Sequence, residues 1–326
     1  MTRLLALGGL LALAIAATVT VRAEDAEPSE DAKPAVERIA KIEHKPLDEI
    51  SGLARSTRYD VWWVHNDSGD RARIFAIDGE GRVVYPSWLS EKYRGETASD
   101  DDAREPWPGI AIENAANVDW EELALIGDKL FIAEMGNNGN ARRDLGVYVL
   151  NEPNPRAVDR ARALKFLPVV YPDQEEFPAK QWQFDCEAIF GHEGKLYFLT
   201  KHRIDGIAMS IRRGTKLYRL DTEHTDRENV LTLIERHETI GPPTACSLSP
   251  DGRFLAVLGL VEVWVFERPK TGDAWLSGPG RMLKLPFAQT KQAEGICWDD
   301  AETLRIVNEQ RDVFRVKLSA LEPVPK

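Results

Sequence analysis

Short runs of alternating apolar and polar residues recur along the chain, and one motif recurs with them. A carboxylate is followed by a small or acidic residue and then by a branched apolar residue. The clearest copies are Asp119-Trp-Glu-Glu-Leu-Ala124, Asp185-Cys-Glu-Ala-Ile189 and Ala293-Glu-Gly-Ile296, with weaker ones at 49–53 and 245–248. Repetition at roughly 40–50 residues, filled by short strands, is typical of a β-propeller.

The apolar runs predict strands in groups of four, which makes the fold all-β. The fifth group contains only three strands, and the apolar run at 36–42 can supply the fourth. Such pairing would close the ring and remove two exposed sheet edges. We therefore predict five four-stranded blades, with six as the fallback if the long insertion at 86–106 contains further strands. The predicted strands are 50–54, 61–65, 73–77 and 109–113; 121–125, 129–133, 146–150 and 163–167; 187–190, 196–200, 216–220 and 230–234; 246–249, 254–258, 263–266 and 281–285; and 294–298, 303–307 and 313–317.

The N-terminal segment resembles an export signal. Arg3 precedes an uncharged apolar run, and Val21-Arg22-Ala23 fits a small-x-small cleavage site, so residues 1–23 are predicted to be removed. An uncleaved membrane anchor is the alternative interpretation. Residues 24–34 are acidic and predicted to be disordered, and 35–322 are predicted to form one propeller domain. We expect a periplasmic or secreted protein with no membrane span after signal removal.

The charge balance limits the classes of partner. Without Arg3 and Arg22, the chain carries 40 basic and 53 acidic residues, a net charge of 40 − 53 = −13. This argues against nucleic acid and anionic membranes as partners. We expect a monomer that binds a small anionic ligand or a protein partner.

The three cysteines, Cys186, Cys246 and Cys297, are too few for a disulfide scaffold, and their number is odd. All three fall on predicted inner strands. We interpret them as small buried apolar residues.

The repeated motif predicts a site at one mouth of the central channel. Inner strands of a propeller start on a common face, so converging carboxylates there need a positive partner. A Ca²⁺-like cation with oxygen ligands would meet this need. The alternatives are acids that accept backbone hydrogen bonds or pair with Lys201, and a catalytic acid or base. The predicted mouth residues are Ser51, Glu121, Glu187, Cys246 and Glu294, and the predicted metal ligands are Glu121, Glu187, Glu294, Asn66 and Asp67.

Basic residues recur in the loops that follow the second strands. Arg73 ends one such loop, Arg142 and Arg143 end the next, and Lys201 stands at the matching place in the third unit. These side chains could hold an anionic ligand such as a phosphate or carboxylate. The alternative is that they form Arg–Glu pairs that join neighbouring blades.

Three segments resemble a family of exported bacterial β-propeller proteins that is distantly similar to phytase-like and esterase-like propellers. They are 50–54, Trp63-Val-His-Asn-Asp-Ser-Gly-Asp70 and Asn117-Val-Asp-Trp-Glu-Glu-Leu-Ala124. The resemblance implies an exported propeller and, by analogy with the phytase-like relatives, a Ca²⁺-assisted phosphoester hydrolase. Cys246 and Glu134 depart from the family pattern, which weakens the transfer of individual ligands. The rival hypothesis is a non-catalytic binding or scaffold propeller.

Overall fold

The structure is a computed structural model that describes residues 34–96 and 102–325. The predicted export signal lies outside these ranges, as do residues 24–33 of the predicted lead-in and 97–101 of the predicted insertion. In the part of the chain that is described, helix is confined to one α-helical turn, Phe287–Thr290, and three 3₁₀ turns, Ser87–Leu89, Trp275–Ser277 and Leu318–Ala320. None of these is long or apolar enough to cross a bilayer.

The described residues form 27 strands, numbered here in chain order. The first thirteen are β1 (Val36–Lys41), β2 (Ile50–Arg55), β3 (Trp62–Asn66), β4 (Arg73–Ile77), β5 (Val83–Val84), β6 (Tyr93–Arg94), β7 (Glu105–Pro106), β8 (Ile110–Glu113), β9 (Trp120–Ile126), β10 (Lys129–Glu134), β11 (Gly146–Asn151), β12 (Arg160–Arg162) and β13 (Lys165–Val170). The others are β14 (Asp185–His192), β15 (Lys195–Ile204), β16 (Ile207–Arg212), β17 (Thr215–Arg219), β18 (Asn229–Val230), β19 (Thr232–His237), β20 (Pro243–Leu248), β21 (Phe254–Gly259), β22 (Glu262–Glu267), β23 (Gly280–Lys284), β24 (Ala293–Asp300), β25 (Thr303–Asn308), β26 (Asp312–Lys317) and β27 (Glu322–Pro323).

The strands assemble into five antiparallel blades, which confirms the predicted five-bladed propeller. From the centre outward the blades are β2-β3-β4-β8, β9-β10-β11-β13, β14-β15-β17-β19, β20-β21-β22-β23 and β24-β25-β26-β1. The innermost strands contact one another in the cyclic order β2, β9, β14, β20, β24 and back to β2. Within the predicted insertion, the described residues add only the short pair β6–β7 and a 3₁₀ turn, so no sixth blade is formed there.

The N-terminal strand closes the ring, as predicted. β1 pairs with β26 in antiparallel register, from Val36 opposite Val316 to Lys41 opposite Asp312. The outer edges of three other blades are also covered. β12 pairs with β8, β18 with β13, and β27 with β23. Covering an edge in this way blocks strand pairing with other chains.

The space between blades is filled by large apolar side chains. Trp63, Trp120, Phe198 and Trp298 are almost completely buried. Burying a large apolar side chain contributes roughly 1.5–3 kcal/mol. The indole N–H of each of these three tryptophans donates to an acceptor, as in the bond from Trp298 to the Ser247 carbonyl at 3.0 Å. The tryptophans on the strands therefore serve as blade core.

A candidate cation site at the channel mouth

Most inner strands carry a β-bulge near the face where they start. The register with the second strand skips Glu187 in β14, Thr244 in β20 and Glu294 in β24. A bulge leaves one residue unpaired and turns its side chain away from the regular pleat. The skipped residues are therefore equivalent positions of three blades.

This register corrects the prediction for Cys246. The equivalent of Glu187 in the fourth blade is Thr244, whose hydroxyl donates to the Ala293 carbonyl at 2.7 Å. Cys246 lies two residues further along β20 and lines a cavity at the other end of the channel. Motif matching placed the fourth copy at 245–248, two residues too late, because this copy has no carboxylate to mark the equivalent position.

Six carboxylates gather where the inner strands begin, and we call this group the acidic mouth. Two sets of three have oxygens within 4.8 Å of one another: Asp67, Asp119 and Glu121 form one set, and Glu121, Asp185 and Glu187 form the other. Glu121 belongs to both. The acidic mouth consists of Asp67, Asp119, Glu121, Asp185, Glu187 and Glu294.

Among the described residues, the Glu121 carboxylate has no hydrogen-bond or ion-pair partner. Glu121 is only 6% exposed, and among residues 34–96 and 102–325 no hydrogen bond or ion pair reaches its side-chain oxygens. Burial raises its pKa well above the usual value, and Glu187, Asp67, Asp185 and Asp119 raise it further. A buried carboxylate of this kind either holds a proton or has a cation beside it.

The pKa values of the neighbouring acids are raised for the same reason. Burial raises the pKa of Asp119 to about 7, with Asp67 and Asp185 adding to the effect. Burial and then Glu187 raise the pKa of Asp185 to about 7. For Glu294, burial raises the pKa to about 8 even though Lys201 opposes the shift. The mouth as a whole therefore favours bound protons or another cation near neutral pH.

Two basic side chains of β15 offset part of this charge. The Lys201 ammonium lies 2.7 Å from a Glu187 oxygen, and Arg203 Nε donates to Asp185 at 2.7 Å. Burial alone would lower the pKa of Lys201, but Glu187 and the other carboxylates outweigh it and raise the pKa. These two cations pair with one side of the mouth only, and Asp119 and Glu121 remain on the other.

The end of β10 and the loop that follows it hold Asp119 and Glu121 in place. The Glu134 carboxylate accepts the backbone N–H groups of Val118 and Asp119 at 2.9 and 3.0 Å. Gly136 packs directly against the carboxylates, and a β-carbon there would overlap Glu121 and Asp119. The absence of a side chain at position 136 thus lets both acids approach each other.

Sequence reasoning missed Asp119 and Asp185 as members of the site. Both belong to an Asp-x-Glu pattern, in Asp119-Trp-Glu121 and Asp185-Cys-Glu187. Residues two apart on an extended segment lie on the same side. The Asp-x-Glu spacing could therefore have indicated that each of these two blades contributes two acids to the site.

Two predicted residues lie outside the acidic mouth. The Asn66 amide donates to the Pro46 carbonyl at 2.8 Å and to Asp70 at 2.9 Å. Arg73 Nε donates to the same Asp70 carboxylate at 2.7 Å. Asn66 and Arg73 therefore tie together the loops around β3, while Asp67, the next residue along, does reach the acidic mouth.

The other two predicted basic residues are placed differently from each other. Arg142 donates to Glu134 at 2.7 Å, and its charge acts on the Asp119 carboxyl. Arg143 is exposed, and its guanidinium lies 4.1 Å from the centroid of the Phe177 ring. Both arginines line a cavity of about 290 Å³. Of this pair, Arg142 is the one in electrostatic contact with the mouth.

Glu122 occupies the middle of the channel. Its Oε1 accepts the N–H groups of Leu53 and Leu123 at 2.9 Å each, and Oε2 accepts the N–H of Cys246 at 3.3 Å. It thereby joins the inner strands of three blades. Burial raises the pKa of Glu122 well above its usual value, and the three backbone donors act in the opposite direction.

The other end of the channel opens into a cavity of about 580 Å³. All five inner strands contribute to its wall, through residues such as Leu53, Leu123, Ile189, Cys246 and Cys297. The two cysteines are free and buried, and burial raises the pKa of each thiol well above its usual value. The channel is thus acidic at one end, whereas the wall of the other end mixes apolar residues with polar ones such as Arg55 and Asp299.

Of the known proteins compared with this chain, only solved structures show similarity to it. No family model matches the chain, and no curated protein matches it. A structure of a nidogen/laminin complex aligns with a TM-score of 0.42 and 13% identity, over 89% of this chain and 90% of that one. A gluconolactonase from Xanthomonas campestris aligns with a TM-score of 0.41 and 13% identity, over 90% and 96%. Hydrazine synthase from Kuenenia stuttgartiensis aligns with a TM-score of 0.42 and 10% identity, over 82% and 70%.

At these scores and identities the similarities carry no functional argument. The propeller is established by the strand pairings of the chain itself. The propeller fold that the resemblance implies is thereby confirmed.

Proposed function

We propose that the chain is an exported propeller that binds a Ca²⁺-like cation at the acidic mouth and an anionic ligand beside it. The observation that carries this proposal is the buried Glu121 carboxylate, which lacks any partner among the described residues and lies between two sets of acids. A cation at this point would remove the cause of the raised pKa values around it.

The donors present fit a hard cation. All of them are carboxylate oxygens, which Ca²⁺ prefers and which soft metals do not. Asp67, Asp119 and Glu121 are the least neutralised group, while Asp185 and Glu187 already contact Arg203 and Lys201. We therefore propose Asp67, Asp119 and Glu121 as the main ligands, with Glu187 and Glu294 as further contributors.

An anionic ligand would approach from the side of Arg142. This guanidinium is half-buried and already oriented by Glu134 and the Gly136 carbonyl. If the protein is an enzyme, we propose hydrolysis of phosphoesters. A bound divalent cation would polarise the phosphoryl oxygen or activate a water molecule.

A second candidate is a non-catalytic binding or scaffold propeller. The ion pairs Lys201–Glu187 and Arg203–Asp185 favour it, because they show part of the mouth in a structural role. In that case the remaining acids would stay protonated, and divalent cations would have no effect on stability.

The test is a thermal melt of the purified protein with excess Ca²⁺ and with chelator. Ca²⁺ at about 100 times its Kd should stabilise the folded state by ~2.7 kcal/mol, a rise in Tm of roughly 4–5 °C. Glu121→Gln should lose this rise. The matched control is Glu122→Gln, which alters the adjacent buried acid but not the acidic mouth and should retain it.

Equal melting temperatures with Ca²⁺ and chelator in the wild-type protein would reject the cation site and favour the scaffold function. A Ca²⁺ effect that survives in Glu121→Gln would place the ion elsewhere. If the rise is seen and lost as expected, phosphoesters become the first substrates to assay, with Arg142→Ala as the variant that should weaken their binding.

A further inference from the structure

Glu122 separates the two ends of the channel. Its carboxylate accepts the N–H groups of Leu53, Leu123 and Cys246, and these three residues also line the cavity at the end away from the acidic mouth. Glu122 itself is completely buried. The cavity of about 580 Å³ is therefore closed on the side of the acidic mouth. We call it the lower cavity, and its floor consists of Leu53, Leu123, Ile189, Cys246 and Cys297.

The lower cavity opens to solvent where the inner strands end. The floor residues are at most 3% exposed. Wall residues two to four positions further along the chain are half-buried or exposed, and they form the rim: Arg55, Thr57, Leu125, Gly191, Pro250 and Ala301. Small-molecule sites are typically concave spaces of about 300–1,000 Å³ with apolar walls and a few polar groups. The lower cavity has this size and this kind of wall.

Backbone groups add hydrogen-bonding capacity to the wall. Among the strands that the structure describes, each inner strand is the last strand of its sheet, so its inner edge has no neighbouring strand. Such an edge presents a row of N–H and C=O groups that the sheet does not pair. The five inner edges face the channel. They can therefore supply hydrogen bonds to a ligand whose body is otherwise in contact with apolar side chains.

Positive charge at the rim exceeds that of the carboxylate beside it. The guanidinium groups of Arg55 and Arg305 lie 4.6 and 4.0 Å from the centroid of the Trp62 ring. Arg305 Nε and the Trp62 indole donate to the Asp299 carboxylate at 2.9 and 3.0 Å. Arg55 lies 4.0 Å from Asp299 and from the exposed Asp60, and it donates no side-chain hydrogen bond to the residues that the structure describes. Two guanidinium groups therefore share Asp299, and the donors of Arg55 are available to a ligand.

Arg55 lies close to the floor of the lower cavity. It belongs to the wall, and its charge acts on the Cys297 thiol, whose pKa it lowers against the stronger effect of burial. The other acid of the wall, Asp300, is exposed and accepts the N–H of Glu302 at 2.8 Å in the turn between β24 and β25. An anion beside Arg55 would make charge-assisted hydrogen bonds, which are stronger than neutral ones.

We propose that the lower cavity binds a small organic anion with an apolar body, the body against the floor and the negative group at Arg55. A neutral ligand of the same shape would not use the charge of Arg55, and an inorganic anion would leave the floor without a contact. The ligand would enter from the face opposite the acidic mouth. Its binding should therefore be the same with Ca²⁺ and with chelator, whatever the outcome for the cation site.

Calorimetric titration of the full chain with 2-naphthoate and with 2-naphthamide tests the charge. The two probes have the same rings, and only the first is an anion. Because hydrogen bonds to charged groups are stronger, 2-naphthoate should bind about tenfold more tightly to the wild type. Arg55→Met keeps the apolar stem without the charge and should remove this preference. The matched control is Arg58→Met, which removes an exposed guanidinium outside the wall and should keep it.

A second pair of variants tests the location. Leu125→Trp places a larger side chain in the wall and should weaken the binding of both probes. Leu164→Trp makes the same change at a 52% exposed position outside the lower cavity and should bind as the wild type does. A thermal melt shows whether Leu125→Trp folds, and Arg55→Met decides if it does not.

Three results would overturn the proposal. The first is a wild type that does not bind 2-naphthoate at about 1 mM or that binds the two probes equally. The second is a preference for 2-naphthoate that persists in Arg55→Met. The third is a folded Leu125→Trp that binds both probes as the wild type does.

Discussion

Glu121 and Glu122 are adjacent in β9 and both are buried, yet their surroundings are opposite. Glu122 accepts three backbone N–H groups from three blades. Glu121 accepts none from the residues that the structure describes, and it faces other carboxylates. One strand therefore presents a carboxylate that accepts three hydrogen bonds to the middle of the channel, and a carboxylate that faces other acids to its mouth.

The difference separates a structural acid from a ligand-binding one more reliably than burial does. The pKa of each is raised by burial in the first place. The two acids differ in the number of hydrogen bonds that they accept. A buried carboxylate that accepts hydrogen bonds contributes to stability, whereas a buried carboxylate without them lowers the stability of the fold. The following predictions test this distinction in order of decreasing effect.

The largest effect is expected for Glu122→Ala. It removes the acceptor for the N–H groups of Leu53, Leu123 and Cys246, and each buried donor left unsatisfied costs about 1–3 kcal/mol. We expect the free energy of unfolding to fall by about 3–5 kcal/mol, measured by urea denaturation. A loss below about 1 kcal/mol would mean that water replaces the carboxylate and that Glu122 does not join the blades.

The next effect is a dependence of stability on pH in the presence of chelator. The folded-state pKa values of Asp119 and Asp185 are raised to about 7 and that of Glu294 to about 8. In the unfolded chain these groups titrate near pH 4. Between pH 4 and 8 the folded state therefore binds more protons, so its stability falls as pH rises and levels off above pH 8.

We expect this decline to exceed about 1.4 kcal/mol, the equivalent of one pKa unit on one carboxyl group. The measurement is the free energy of unfolding at pH 5, 6, 7 and 8. Saturating Ca²⁺ should flatten the decline because it stabilises the ionised acids. Stability that is constant or increasing over this range with chelator would show that the acids of the mouth ionise at ordinary pH.

The smallest effect is expected for Arg143→Ala. This exposed side chain contacts the Phe177 ring, and an exposed cation–π contact contributes about 0.5–1 kcal/mol. The rise in Tm caused by Ca²⁺ should be unchanged, since Arg143 has no ion pair with the described carboxylates of the mouth. A change in that rise would bring Arg143 back into the site as a partner of the ligand.

The blades could be predicted almost strand by strand. Period-two alternation and the turns between strands are local signals, and the closure by β1 followed from the one strand missing from the fifth group. Five copies of one motif also gave the common face on which Glu121 and Glu187 meet.

The site was predicted less completely because its geometry depends on non-local features. The pairing of β20 with β21 is what shows that Thr244, and not Cys246, occupies the equivalent position at the mouth. The Asn66 side chain is held near Asp70 by a hydrogen bond to the carbonyl of Pro46, which lies 20 residues earlier in the chain.

The closure of the ring has a consequence for the order of events during synthesis. Val36 pairs with Val316, 280 positions later, so β1 is synthesised long before its partner strand β26. Until then β1 lacks this partner, and contacts of such long sequence separation form slowly. Completion of the fifth blade therefore acts as a check on chain completeness, since a chain that stops before β26 leaves β1 without its partner strand.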